Sequence, residues 1–333
     1  MEQRKVLITG GGGFLGSAVI KKLIERGDSI RSFSRNFYPE LYKLGIEQHQ
    51  GDIVDFASVE KACQGMDVVF HTAAKAGVWG DYSEYYDANV KGTENVIAAC
   101  LHNNVKALIH TSTPSVILNG SDLEGVDESY PYPEHYHSAY SKTKALAEKA
   151  VVAAAGEGLN AVILRPHIIW GPGDTHLVPR ILKRGKRIVR IGNGENLVDT
   201  IYIDNAADAH VLAADRIEQD TSLKGNKYFI CQNEPVRLWD LIGYILEWSG
   251  HNKIKRKISH KTAELFSRVL EFIHKTLRID GEPYLTRYIV NELATSHWFD
   301  VSAAEKDLGF VPEISVEEGL GIFKEWMKKE YVA

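Results

Sequence analysis

The sequence predicts an α/β fold organised on a doubly wound parallel sheet. Two observations carry this. The apolar run Lys5-Val6-Leu7-Ile8 feeds a glycine turn, Thr9-Gly10-Gly11-Gly12-Gly13-Phe14-Leu15-Gly16, which opens into a helical pattern with Leu15, Ala18, Val19, Leu23 and Ile24 on one face. Short strand-like runs then alternate with helical stretches, the order that right-handed β–α–β crossovers produce.

The glycine turn comes first in the chain and in importance. It would set bare backbone N–H groups and the positive end of a helix against a phosphate. Two registers fit: Gly11, Gly13 and Gly16, or Gly10, Gly13 and Gly16. Either supplies a sharp turn, a close approach for a pyrophosphate and tight helix-on-strand packing. The second strand is expected at Ser29–Ser34. At its end a dinucleotide fold meets the adenosine ribose, where an acid would bind the 2′-hydroxyl and repel a 2′-phosphate. Here stand Ser34, Arg35 and Asn36, with no acid, so NADP(H) is expected over NAD(H).

A third strand near 47–50 runs into Gly51-Asp52-Ile53. Asp52 could accept from adenine, or cap the helix holding Val59 and Cys63. Asp67–His71 is a buried-looking strand ending in Thr72-Ala73-Ala74, where small residues let backbone lie close to a cofactor; His71 reads as a core histidine. The Gly- and aromatic-rich loop 75–86 leaves the carboxyl end of that strand, where such sheets bind ligands. Lys75, Trp79 and Tyr82 are therefore substrate-side candidates.

A long helix is expected over about 85–103, a fifth strand over 106–110 followed by Thr111-Ser112-Thr113, and a loop-rich stretch over 114–137. Ser138 then opens an Ala-rich helix to about Ala155. Tyr140 and Lys144 stand four apart on one face of it. A lysine ammonium beside a phenol, with an oxidised nicotinamide, would lower a pKa of ordinarily ~10 toward neutrality. A sixth strand at 162–165 leads into Pro166–Asp174. Beyond it, 226–230 reads as a strand and 237–249 as a helix. Over 262–279, Leu265, Phe266, Val269, Leu270, Ile273 and Leu277 share one helix face, opposite Glu264, Arg268, Glu271 and Lys275. Docking of that face on a smaller domain is expected; membrane contact and cover over a greasy substrate are the other readings.

Bulk composition excludes several classes. With 333 residues and ordinary apolar content the chain has ample core. A formal charge of −5 speaks against nucleic acid. Cys63, Cys100 and Cys231 lack metal spacing, as reduced thiols would. No run approaches the ~18 apolar residues of a membrane span, and the first strand's early start suggests a cytoplasmic protein.

These residues together resemble the extended short-chain dehydrogenase/reductase family. The likeness covers nearly the whole chain: TGGGGFLG at 9–16, GDI at 51–53, HTAA at 71–74, NVKGT at 89–93, TSTPSV at 111–116, YSKTK at 140–144, RPHIIWGPGD at 165–174, YIDNAADAH at 202–210 and FDVSAAEKDLGF at 299–310. The resemblance implies Tyr140 as acid/base and Lys144 as its support and a contact of the nicotinamide ribose. It implies Thr113 as the second hydroxyl, where the family more often has Ser, with Ser112 as fallback; His167, beside the cleft, is the other acid if Tyr140→Phe keeps substantial activity. It implies cofactor contacts at Gly10, Gly13, Phe14, Leu15, Gly16, Ser34, Arg35, Asp52, Ile53, Ala73, Ala74, Pro166 and Ile168. It further implies a Rossmann-type domain from 1–168 and 198–232, a discontinuous substrate domain from 169–197 and 233–333, and a homodimer through the helices around 85–103 and 138–155. Within the family the sequence is most similar to the beta-hydroxysteroid dehydrogenase branch. AAKAGVWG at 73–80 and STPSV look closest to bacterial 2-alkyl-3-oxoalkanoate reductases of olefin synthesis. That likeness implies a long-chain 2-alkyl-3-oxo acid as substrate and a complex with other enzymes of that route. Lys75 would meet the acid, and Trp79, Tyr82, Trp170 and Tyr202 the chains. A 3-hydroxysteroid is the alternative substrate. A sugar-nucleotide epimerase and a non-catalytic NADP sensor are weaker alternatives.

Overall fold

The computed structural model describes residues 3–331. Seven strands form its main sheet: β1 Lys5–Thr9, β2 Ser29–Ser34, β3 Glu47–Gln50, β4 Val68–His71, β5 Ala107–Thr111, β6 Ala161–Pro166 and β7 Lys227–Ile230. All pairings are parallel, in the order β7-β6-β5-β4-β1-β2-β3. Helices cover both faces, so the central strands are apolar throughout: Val68 to Phe70, Ala107 to Ile109 and Ala161 to Leu164 are wholly buried. The order reverses between β1 and β4, and the carboxyl ends of these two strands frame the crevice expected at such a switch point.

Five helices matter for the site: α1 Phe14–Arg26, α2 Gly92–His102, α3 Ala139–Gly156, α4 Leu177–Arg184 and α5 His260–Thr276. The helix expected from 85 begins earlier, at Tyr82, and holds a π-helical turn over Asp87–Lys91 before α2. That turn has a use. Asn89 accepts from the Lys75 backbone N–H at 2.7 Å and donates to the Thr143 hydroxyl at 3.0 Å, tying the loop after β4 to α3. Such turns often sit at functional sites.

Beyond the main sheet, short strands make a second sheet in the order Val236–Arg237, Leu197–Val198, His297–Phe299, Leu123–Val126. The last of these lies inside 114–137, the stretch expected as loop.

The face of α5 is a correction. Its buried positions are Ala263, Ser267 and Glu271, not the apolar stripe. Small residues four apart let α5 lie close on the helix Arg287–Ala294, and Glu271 accepts from the Arg287 backbone N–H at 2.7 Å and its Nε at 2.8 Å. Leu265, Phe266, Val269, Phe272, Ile273 and Leu277 are left exposed.

Candidate functional site

Gly10 ends β1 in the left-handed region, φ 75°, and its carbonyl accepts from the Gly13 N–H at 2.9 Å. A Cβ on Gly16 would lie 2.3 Å from that same carbonyl oxygen. The working register is therefore Gly10, Gly13, Gly16. Among the described residues no side chain caps the first turn of α1, so its N–H groups are left for an anion in the crevice. Ser34 Oγ is buried with no partner at the end of β2. Arg35 beside it is exposed, with no ion pair among the described residues. Asp52 and Ile53 line the same crevice. Asp52 accepts from the Val54 N–H at 3.0 Å, and the helix cap is Asp55 instead. A pyrophosphate-linked dinucleotide fits this donor set: free helix-terminal N–H groups, an orphan hydroxyl and an uncommitted guanidinium.

At the far end of the crevice α3 presents Tyr140 and Lys144 on one face. Burial pushes the Tyr140 phenol up to about 12, opposed by the Thr113 hydroxyl as a hydrogen-bond donor and reinforced by Glu292 and Tyr85. Burial pulls the Lys144 ammonium down to about 8, and it donates to the Thr111 carbonyl at 2.6 Å. In the protein alone the phenol is thus held as an acid. Neighbouring hydroxyls point in opposite directions, because side chains alternate along an extended chain. Thr113 faces Tyr140. Ser112 donates to Glu148, which also accepts from Tyr132 and is paired with the buried Arg165. Ser112 is therefore committed elsewhere, and the expectation that it could stand in for Thr113 is corrected. His71 is a core residue: its ring meets Thr9 at 2.8 Å and Thr93 at 3.0 Å, and burial draws its pKa to about 3.

The crevice opens into one cavity of about 1320 Å³ that runs from the glycine turn to α5. Its outer half is apolar, with Ile181, Trp239, Ile242, Leu270, Leu285 and Ile289 among its walls. Polar side chains stand there too, among them Arg180, Tyr288 and Glu292. Glu292 Oε1 is buried without a partner, and burial raises the pKa of this carboxyl.

The description "3-beta hydroxysteroid dehydrogenase/isomerase family" matches residues 7–260. The chain belongs to this family. It is an extended short-chain dehydrogenase/reductase, an NAD(P)-dependent oxidoreductase that interconverts oxo and hydroxy groups. It is 45% identical over 320 residues to 2-alkyl-3-oxoalkanoate reductase of Stenotrophomonas maltophilia (strain K279a), covering 95% of this chain and 97% of that one. It is 35% identical over 348 residues to the decarboxylating sterol-4-alpha-carboxylate 3-dehydrogenase of Schizosaccharomyces pombe, covering 99% of each. The crystal structure of UDP-glucuronic acid 4-epimerase from Bacillus cereus in complex with NAD superimposes with a TM-score of 0.74 over 98% of this chain and 99% of that one, at 23% identity, a likeness of fold alone.

In this family member every cofactor candidate read from the sequence lines the cavity: the three glycines, Phe14, Leu15, Ser34, Arg35, Asp52, Ile53, Ala73, Ala74, Tyr140, Lys144, Pro166 and Ile168. So does Thr113. Most substrate-side candidates do not. Lys75 lines the wall, but its Nζ is held by Glu84 at 2.7 Å. Trp79 packs outside, against His274 and Lys275 of α5. Tyr82 is exposed on the helix surface beside Tyr86 and under Lys142. Trp170 and Tyr202 meet edge to face in the core, 5.3 Å apart, on paired strands. Ile169 takes the cavity side, and alternation sends Trp170 inward. His167, between the cavity-lining Pro166 and Ile168, turns inward, where it bonds His297 at 2.6 Å and is removed from the acid role. No local pattern marks Arg180, Tyr288 or Glu292; they reach the site only by the packing of α4 and Arg287–Ala294 against Tyr140's side of the crevice.

Proposed function

We propose that this chain reduces a long-chain 2-alkyl-3-oxoalkanoic acid to the 3-hydroxy acid with NADPH, reversibly. One observation carries the reading: the Tyr140–Thr113 pair opens directly into a long cavity with apolar walls and a cation, Arg180, in its lining. The reductase similarity at 45% identity agrees with it.

NADPH, when bound, supplies the hydride. Gly10, Gly13, Phe14, Leu15 and Gly16 would hold its pyrophosphate. Ser34 and Arg35 would hold the 2′-phosphate, Asp52 and Ile53 the adenine, Ala73, Ala74, Pro166 and Ile168 the adjoining backbone, and Lys144 the nicotinamide ribose. Tyr140 is the acid. A phenol pushed up to about 12 keeps its proton at neutral pH, which suits protonation of a carbonyl oxygen in the reductive direction. The Thr113 hydroxyl orients that oxygen, and the Lys144 ammonium, one helical turn away, stabilises the phenolate left behind.

Arg180, rather than Lys75, is assigned the substrate carboxylate. Its guanidinium stands 3.8 Å from Glu282, a loose pairing, and its charge reaches Tyr85 and Glu292 beside Tyr140. Burial raises the pKa of the Glu292 carboxyl, and Arg180 opposes that shift. The homodimer through the helices around 85–103 and 138–155 belongs to the same reading, with sedimentation as its check.

The test supplies NADP with a long-chain 2-alkyl-3-hydroxy acid, a 3β-hydroxysterol and a UDP-sugar in parallel and follows reduced-nicotinamide absorbance, with product analysis for the sugar. The hydroxy acid should be oxidised fastest, and Tyr140→Phe should abolish this while NADPH still binds. Turnover of the sterol alone would replace the acid with a steroid and leave the acid–base pair standing. Arg35→Ala should raise the KM for NADPH far more than for NADH; equal effects on both would remove the NADP preference.

A further inference from the structure

Helix α5 combines three features that its fold does not require. Its outward arc is apolar: Leu265 is 64% exposed, Phe266 59%, Phe272 69% and Leu277 68%, with Val269 and Ile273 between them. So much contiguous apolar surface is unusual on a protein that meets only water. At 100° per residue, Lys261, Arg268 and Lys275, spaced by sevens, form a line along one flank of that arc. The other flank turns into the cavity, because Phe266 and Leu270 line it.

Charge points to the occupant. Between 253 and 278 stand eight Lys or Arg residues against two acids, Glu264 and Glu271, in a chain whose net charge is −5. Both acids are already used, by Arg268 and Arg287. Lys253, Lys255, Arg256, Lys257, Lys261, Lys275 and Arg278 are exposed and carry no ion pair among the described residues. The acidic remainder of the chain conceals this basic run. No helix among the described residues is long and apolar enough to cross a membrane. A large apolar arc beside a cationic flank is the composition of a helix that lies in a bilayer interface.

We propose that α5 docks the protein on an anionic phospholipid surface, apolar arc inward and the 253–278 cations on the headgroups. Phe266, on both the exposed arc and the cavity wall, then sets the cavity mouth at the lipid boundary. The proposal goes beyond the substrate assignment and does not depend on it, since lipid binding is measured without turnover.

The experiment is co-sedimentation of the full-length protein with vesicles of phosphatidylcholine plus phosphatidylglycerol, and of phosphatidylcholine alone. Binding should be strong to the mixed vesicles, weak to the neutral ones, and should fall as salt rises. Each cation near an anionic surface is worth roughly five-fold in affinity, so Lys261→Ala with Lys275→Ala and Arg278→Ala should weaken binding about 100-fold. Leu265→Ser with Phe272→Ser should weaken it at least about ten-fold. Both variants touch no cavity wall and should unfold in urea close to the wild-type midpoint, which shows that they fold. Equal binding to both vesicle types, or variants that bind like wild type, would overturn the proposal. Sedimentation of the same proteins in solution decides a rival: if Leu265→Ser with Phe272→Ser turns a dimer into a monomer and no form binds vesicles, the arc is an interface between copies of this chain.

Discussion

Lys144 should cost the folded protein stability that its function requires. The buried ammonium has its pKa drawn from 10.5 to about 8 by desolvation, with Glu148 opposing. At ~1.4 kcal/mol per pKa unit, holding the charged form inside costs about 3 kcal/mol at neutral pH. Lys144→Met removes that cost and fills a similar volume, but forfeits the bond to the Thr111 carbonyl, worth about 1 kcal/mol. The net expectation is a protein more stable by about 2 kcal/mol, a rise in unfolding midpoint of roughly 4 °C, with almost no reductase activity. The pH dependence follows from the sign. A folded-state pKa below the unfolded one means that between about 8 and 10.5 the unfolded chain binds more protons. Wild-type stability from this group therefore rises with pH across that window. The advantage of Lys144→Met should be full below about pH 8 and largely gone near pH 10.5. Urea unfolding of both proteins without cofactor, at neutral and alkaline pH, measures it. A variant less stable than wild type at pH 7, or a gap that does not close on raising the pH, would refute the argument that desolvation dominates at this lysine.

Three further outcomes are expected. Thr113→Val should lower kcat about 100-fold, whereas Ser112→Ala should leave kcat near wild type and cost ~1 kcal/mol in unfolding, since the buried Glu148 loses one of its hydrogen bonds and keeps those from Tyr132 and Arg165; a synergistic loss of kcat in the double variant would mean the hydroxyls substitute after all. Gly16→Ala sets a Cβ 2.3 Å from the Gly10 carbonyl oxygen, backbone against backbone, so NADPH affinity should drop at least about ten-fold, a loss of ~1.4 kcal/mol, readable by fluorescence titration. Arg180→Gln should raise the KM for a 3-oxo acid and leave the KM for its methyl ester unchanged; equal changes in the two would move the carboxylate site back toward Lys75.

The main sheet was legible because its signals are local. Strand runs such as Val6–Ile8 and Val68–Phe70 are apolar throughout, glycine marks the turn at Gly10, and β2 falls where the chain alternates, at Ser29–Ser34. The four-residue spacing of Tyr140 and Lys144 likewise fixes a shared helix face wherever the helix lies. What the sequence could not settle was which side of an element meets the cavity. Trp170 and His167 belong to a segment that borders the cleft yet turn into the core, and Ser112 spends its hydroxyl on Glu148. For α5 the same question was decided against hydrophobicity. Ala263, Ser267 and Glu271 allow the closer approach to Arg287–Ala294 and an ion pair with it, so the greasy stripe faces out. Arg180 and Glu292 lie 40 and 152 residues beyond Tyr140 in the chain, and no local pattern relates them to it. Periodicity is a property of one segment and survives in the sequence; the facing of one segment toward another depends on contacts made by both, and exists only in the folded chain.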